Sequence, residues 1–183
     1  MASRLSTTSY ALLSLLVLDR ETTELGMTGY ELKQRADRTL RFYWVSPAMS
    51  QIYTELERLD RHAFVSSVEV EDGKRTTRRF AITAAGREAL DEWLRTSSTE
   101  FPVLKHPIAL RLMLGGLMGP DAIKEMLDEY LEQVAERRAE LEAVREMLGD
   151  RDEVKYPAQV AEWGLAFFDS EVATAERIRK SLD

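Results

Sequence analysis

Cysteine is absent from this 183-residue chain, and that absence excludes disulfides and thiolate metal sites. A reducing compartment, the cytoplasm, is the setting that fits. Long apolar runs are also missing: the longest, Tyr10 to Leu18, is shorter than the about 20 residues a membrane-spanning helix needs. Among basic residues only Arg4 precedes this run, and no small-residue cleavage site follows it, so a secretory signal is not expected. Ser6, Thr7 and Thr8 suit a helix start instead. The two histidines, His62 and His106, lie far apart in sequence without a ligand-spaced partner. There is no Gly-rich phosphate loop, no G-x-S-x-G and no H-E-x-x-H. Gly115-Gly116 and Gly119-Pro120 read as helix breakers. The expectation is a protein that is not an enzyme, with no metal, no cofactor and no membrane partner.

Positive charge is in deficit, with 25 Lys and Arg against 32 Asp and Glu and a net charge of −7. The deficit is not spread evenly. Up to Arg95 the chain has 14 basic and 14 acidic residues; from Thr96 onward it has 11 and 18. Affinity for phosphate depends on local basic patches rather than on the total, so the neutral half with clustered arginine remains compatible with nucleic acid.

The polar cluster Thr96-Ser97-Ser98-Thr99 reads as a linker between residues 1–97 and 98–183. Before it, a nearly all-apolar helix is expected from Thr7 to Asp19, forming a buried centre. A second helix starts at Thr28, where Thr28-Gly29-Tyr30-Glu31 has the form of a capping box. A third follows Ser46 with Pro47 in its first position. In it Ile52, Leu56 and Leu59 form an apolar stripe at i, i+4, i+7, and His62 is placed to close its end. Phe64 to Val70 and Thr76 to Ile82 read as strands joined at Asp72-Gly73, a hairpin signal. A fourth helix covers Ala84 to Arg95. Beyond the linker the spacing predicts helices over Pro107–Leu114, Pro120–Leu148 and Pro157–Leu182. In the middle one Leu127, Val134, Leu141 and Leu148 repeat every seven residues, as do Ile123, Tyr130, Arg137 and Val144, which makes a heptad seam with Arg137 as the polar intruder.

Helix, helix, Ser-Pro-started helix, hairpin with a basic tip, helix is the order of a winged helix-turn-helix. In that motif the recognition helix enters the major groove and presents polar side chains to base edges. Ser50, Gln51 and Thr54 are suited to base edges, with Gln51 able to bond adenine in bidentate fashion. Tyr53 and Arg58 suit sugar and phosphate, and Tyr30 joins the same contact set. Lys74, Arg75, Thr77, Arg78 and Arg79 make a wing fit to track the backbone or enter the minor groove.

These motifs resemble the PadR family of transcriptional regulators: Tyr10-Ala11-Leu12-Leu13, Gly29-Tyr30-Glu31-Leu32, Trp44-Val45-Ser46, Ser50-Gln51-Ile52-Tyr53, Leu56-Glu57-Arg58-Leu59, Arg78 to Thr83, Gly86-Arg87 and Trp93-Leu94. The likeness covers most of the first 95 residues. The second half is similar to the longer helical C-terminal domain of one PadR branch. The resemblance implies homodimers on near-palindromic double-stranded DNA, repression of neighbouring genes and, in some members, release by a small aromatic effector. Two departures stand out. Ala63 occupies a position where the family usually has Gly, which costs about 1–2 kcal/mol if that residue is left-handed. Phe80 occupies a position where Tyr is common, so a hydroxyl is lost while packing is kept.

The expected fold is therefore mainly α: an N-terminal winged helix-turn-helix with a two-stranded wing, then a helical dimerisation domain. The dimer is expected to use Ile123, Leu127, Tyr130, Val134, Leu141, Val144, Leu148, Trp163, Phe167 and Phe168. Blander readings stand beside these. The basic hairpin could be a solvated edge, and the heptad seam could be the core of an internal bundle. Trp44, Trp93, Trp163, Phe167 and Phe168 read first as core aromatics, with a ligand pocket between the halves as the other possibility. A winged-helix module that binds protein rather than DNA is the alternative function.

Overall fold

A computed structural model of the chain describes residues 5–18, 25–42, 44, 46–72, 75–98, 101 and 105–183, with the side chains of Asp72 and Arg75 outside the description. It divides into two units, Met1–Glu100 and Phe101–Asp183.

In the first unit, α1 (Thr7–Leu18) buries Leu12, Leu13, Leu15 and Leu16. Its last residues, Val17 and Leu18, are exposed. Trp93 of α4 (Ala84–Thr96) stacks on Tyr10, with centroids 4.6 Å apart and planes at 10°. The capping box at α2 (Gly29–Thr39) is formed: Thr28 Oγ1 accepts from Glu31 N at 3.1 Å, and Glu31 Oε2 accepts from Thr28 N at 2.7 Å. The residues just before it make a strand that sequence patterning does not reveal, β1 (Met27–Thr28). Two residues are too few to show an alternation.

β2 (Val65–Asp72) and β3 (Arg75–Ile82) form the wing, and β1 joins the free side of β3. The expected two-stranded wing is thus part of a three-stranded antiparallel sheet of order β1-β3-β2. Met27 pairs with Phe80 and Thr28 with Arg79. Gly26 permits this approach: its φ is +79°, and a Cβ there would lie 2.1 Å from the Phe80 carbonyl oxygen. The β2–β3 ladder runs from Val65–Ile82 to Asp72–Arg75. Asp72 therefore still belongs to the ladder rather than to the turn where the sequence places it. Gly73 and Lys74 lie outside the described residues.

α3 (Met49–Arg61) fully buries Ile52, Leu56 and Leu59. Its end is a Schellman motif, with Ala63 N donating to Asp60 O at 2.9 Å and Phe64 N to Leu59 O at 3.0 Å. Ala63 has φ +57°, the left-handed conformation in which alanine is unfavourable. His62 is the C-cap, as expected.

The second unit holds α5 (Pro107–Met113), α6 (Pro120–Leu148) and α7 (Lys155–Lys180). Four ion pairs bind α6 to α7 and the C-terminus: Lys124–Asp183, Asp128–Arg179, Arg138–Asp169 and Arg145–Glu162. Steps of four, ten and seven residues forward on α6 are matched by equal steps back on the other side, the signature of one antiparallel register. Ile123, Leu127, Val134 and Leu141 are buried within the chain. Arg137 is exposed, because a helix of 3.6 residues per turn drifts away from a strict heptad. Among the described residues no helix is long and apolar enough to cross a membrane.

Candidate nucleic-acid interface

α3 separates its side chains by chemistry. Its apolar stripe faces the core, while Ser50, Gln51, Tyr53 and Thr54 are exposed. Arg58 is half-buried, with a guanidinium nitrogen 3.9 Å from Glu55. The helix starts two residues later than the Ser-Pro pair suggests, with Ala48 as N-cap and Met49 as the first residue. The reason lies in the turn before it. Ser46 Oγ donates to Asp37 Oδ1 at 2.6 Å and accepts from Lys33 Nζ at 3.1 Å, and Lys33 bonds Asp37 at 2.5 Å. The Ser46 hydroxyl therefore fastens α2 to the approach of α3 instead of capping α3. Bonds from Lys33 and Ser46 hold the Asp37 carboxyl below its ordinary range.

With alanine at the N-cap there is no side-chain acceptor for the first amides of α3. Only the reciprocal half of a capping box exists: Gln51 Oε1 accepts from Ala48 N at 3.0 Å. Thr54 Oγ1 donates to Ser50 O at 2.9 Å. On the inner side Glu55 accepts from the hydroxyls of fully buried Ser9 and of Ser6, the latter at 3.0 Å. Ser6 in turn accepts from Ser9 N at 3.0 Å, so the start of α1 is tied to the middle of α3. The Tyr53 ring lies over the first residue of α2, where a Cβ on Gly29 would come 2.7 Å from Cε1. Tyr30 is exposed, and its hydroxyl accepts from Gln34 at 3.1 Å.

The wing arginines have internal partners. Arg78 donates to Asp60 at 2.7 Å and to Ser67 at 2.9 Å, and its guanidinium lies 5.0 Å from the Phe80 ring centre. Arg79 Nε donates to the Gly26 carbonyl at 2.8 Å, and its Nη2 lies 3.1 Å from Glu31 Oε2. The two therefore anchor the wing to the end of α3 and to the β1–α2 corner. Thr77 donates to Val70 O at 3.3 Å. Lys74 and the side chain of Arg75 lie outside the described residues. Sequence reasoning missed Glu55, Asp60 and Gly26, and it missed the second role of Glu31. A hint was available for two of them: Asp60 and Glu31 are carboxylates beside a wing rich in arginine.

The expected dimer residues fall into two groups. Ile123, Leu127, Val134, Leu141 and Phe168 are buried inside the second unit, and Val144 and Leu148 are half-buried. The Tyr130 hydroxyl donates to Glu171 at 2.5 Å; burial and this carboxylate raise its pKa. His106 Nδ1 accepts from Ala109 N at 3.2 Å, so Nε2 carries the proton and donates to Glu171 at 2.7 Å. Burial works against the charge on Glu171, but the bonds from Tyr130 and His106 prevail and lower its pKa. Trp163 and Phe167 do not belong to the core of the second unit as the sequence suggests: Trp163 is 79% exposed and Phe167 46%. Trp44 and Trp93 are half-buried.

Residues 15–92 match the family described as transcriptional regulator PadR-like, and residues 104–183 match the virulence activator alpha C-terminal domain. A probable transcriptional regulator of Mycobacterium tuberculosis, Rv1176c, is 31% identical over 72 residues, which is 39% of this chain. The match spans 38% of that relative's length. The PadR-like regulator BC1756 of Bacillus cereus superposes with a TM-score of 0.78 at 20% identity, covering 100% of this chain and 99% of that one. Bacillus subtilis PadR in complex with operator DNA gives 0.83 at 20% identity, covering 97% and 100%. The same Bacillus subtilis protein in complex with p-coumaric acid gives 0.74 at 20% identity, covering 97% and 99%. At these identities the superpositions establish a shared fold.

Proposed function

Because residues 15–92 match the family of PadR-like transcriptional regulators, we propose that this chain is a sequence-specific DNA-binding repressor that occupies a near-palindromic operator as a homodimer. Each protomer lays α3 in a major groove, with Ser50, Gln51 and Thr54 toward base edges and Tyr30, Tyr53 and Arg58 toward sugar and phosphate. Lys74, Arg75 and Thr77 follow the flanking backbone, and Arg78 and Arg79 set the angle of the wing. The observation that carries this reading is the division of α3, which buries Ile52, Leu56 and Leu59 completely and leaves an exposed row of hydrogen-bonding side chains. Repression is the simpler direction, since covering an operator only has to exclude polymerase, whereas activation needs a further contact.

A two-fold operator calls for a two-fold protein. Trp163 and Phe167, uncovered in the protomer, supply apolar area for that contact, alongside the half-buried edge of the seam at Tyr130, Val144 and Leu148. By likeness to the Bacillus subtilis protein bound to p-coumaric acid, a small aromatic acid is the proposed effector, and a thermal-shift screen with such acids tests it.

The main experiment is a titration of the duplex lying upstream of the protein's own gene against a scrambled duplex, at several salt concentrations. The expected result is a preference of about 10³-fold or more for the specific site. Equal affinity for both duplexes at low ionic strength would sink the proposal. The internal pairing of Arg78 and Arg79 leaves fewer cations for phosphate. That pairing favours the second reading, a winged helix that binds protein, which predicts equal affinity.

A further inference from the structure

We infer that Gln51 reads the major groove as a hydrogen-bond donor, and so selects guanine or thymine rather than adenine. This rests on the DNA-binding reading above and sharpens it. A free glutamine carboxamide pairs with adenine by accepting from N6 and donating to N7. Gln51 is not free in that sense. Its Oε1 accepts from Ala48 N at 3.0 Å. The orientation of the amide follows from chemistry, because the opposite flip would set an NH2 group against an N–H. Ala48 has no side-chain acceptor of its own, so turning Oε1 toward a base would strip the N-cap amide of its partner just where docking removes water.

What remains outward is the NH2 group of an exposed residue in the first turn of the recognition helix. Guanine offers it two adjacent acceptors, O6 and N7, and thymine offers O4, whereas adenine offers N7 alone, beside an N6 donor that the engaged Oε1 leaves unmet. Cytosine offers a donor at the corresponding edge and is rejected.

The variant Gln51→Glu separates cap from readout. Glutamate in the third helical position keeps the bond to Ala48 N and suits a helix N-terminus, but its outward oxygen only accepts. Selection from random duplex is run with wild type, Gln51→Glu and Gln51→Ala. In the expected result one position per half-site shows guanine or thymine with wild type and becomes unselective with Gln51→Ala. The same position turns to cytosine with Gln51→Glu, by about fivefold or more, the lower end of what one base-reading pair supplies. The melting temperature of Gln51→Glu should match or exceed that of wild type. Adenine at the position that Gln51→Ala makes unselective would overturn the inference while leaving DNA binding intact. So would a motif unchanged by both substitutions. No selected motif with wild type would overturn the DNA reading itself, and this inference with it.

Discussion

α3 and the α6–α7 pair meet the same requirement and leave different things outside. Both hide an apolar stripe within their own unit: Ile52, Leu56 and Leu59 are 0% exposed, Leu127 and Leu141 1%. Outward, α3 presents Ser50, Gln51, Tyr53 and Thr54, neutral groups rich in hydrogen-bonding capacity. The helical pair instead matches its cations with anions across the two helices and leaves Trp163 and Phe167 bare. One surface suits a polar, hydrated partner; the other suits burial against protein. What a helix offers to a partner depends on which groups its neighbours leave unused, and composition alone does not report that. Arg78 and Arg79 make the point. By sequence they are wing cations. By surroundings they resemble Arg138, Arg145 and Arg179, each with a carboxylate oxygen within 3.1 Å.

The strongest way to break this comparison is to empty one stripe. Leu56→Ala is expected to cost about 2–5 kcal/mol, measured by denaturant unfolding, and to remove DNA affinity because the exposed face of α3 loses its support. Leu141→Ala should cost a similar amount within the second unit. A loss under about 1 kcal/mol for Leu56→Ala would mean that α3 is not seated as described. A smaller effect sharpens the contrast between anchoring and contacting cations. Arg79→Ala removes the partner of the Gly26 carbonyl and of Glu31, and should lower stability by about 1–2 kcal/mol with little change in the salt slope of DNA binding. Arg75→Ala, at a proposed phosphate contact, should flatten that slope by about one unit. The reverse pattern would return Arg79 to the phosphate backbone.

The parts of this fold that were legible in the sequence are those fixed by neighbours along the chain. α6 begins and ends at the expected residues, Pro120 and Leu148, because Gly119-Pro120 and Gly149 punctuate it. The capping box at Thr28 is local, and so is the stripe of α3. The parts that were not legible are choices made across the fold. Ser46 looks like a cap, but its hydroxyl goes to Asp37 on the preceding helix. The partners of Arg78 and Arg79 lie 18 and 48 residues away in sequence. By residue type Trp163 reads as core. The buried line of α7 is instead Ala158, Ala161, Gly164, Phe168 and Ala175, mostly small residues that let the leucines of α6 approach. That run of small residues was the available signal that the large aromatics beside it face outward.

The smallest expected effect concerns the turn that joins the two parts of the reading face. Ala63 has φ +57° between the end of α3 and the start of β2. The Schellman bonds fix it there, and the hydroxyl of Thr83 donates to its carbonyl at 2.7 Å. Alanine in this conformation is held at a cost that glycine avoids. Ala63→Gly should therefore stabilise the protein by about 1 kcal/mol, part of the steric relief being offset by glycine's greater freedom when unfolded. For a unit of this size that corresponds to a rise of about 4–8 °C in its melting temperature. Ala63→Val should act in the opposite direction, since a branched side chain tolerates the left-handed region less well. Neither change alters a group on the exposed face of α3, so the selected DNA motif should stay the same. A Gly variant less stable than wild type would mean that α3 ends in some other way, and the angle between α3 and the wing would need a different explanation.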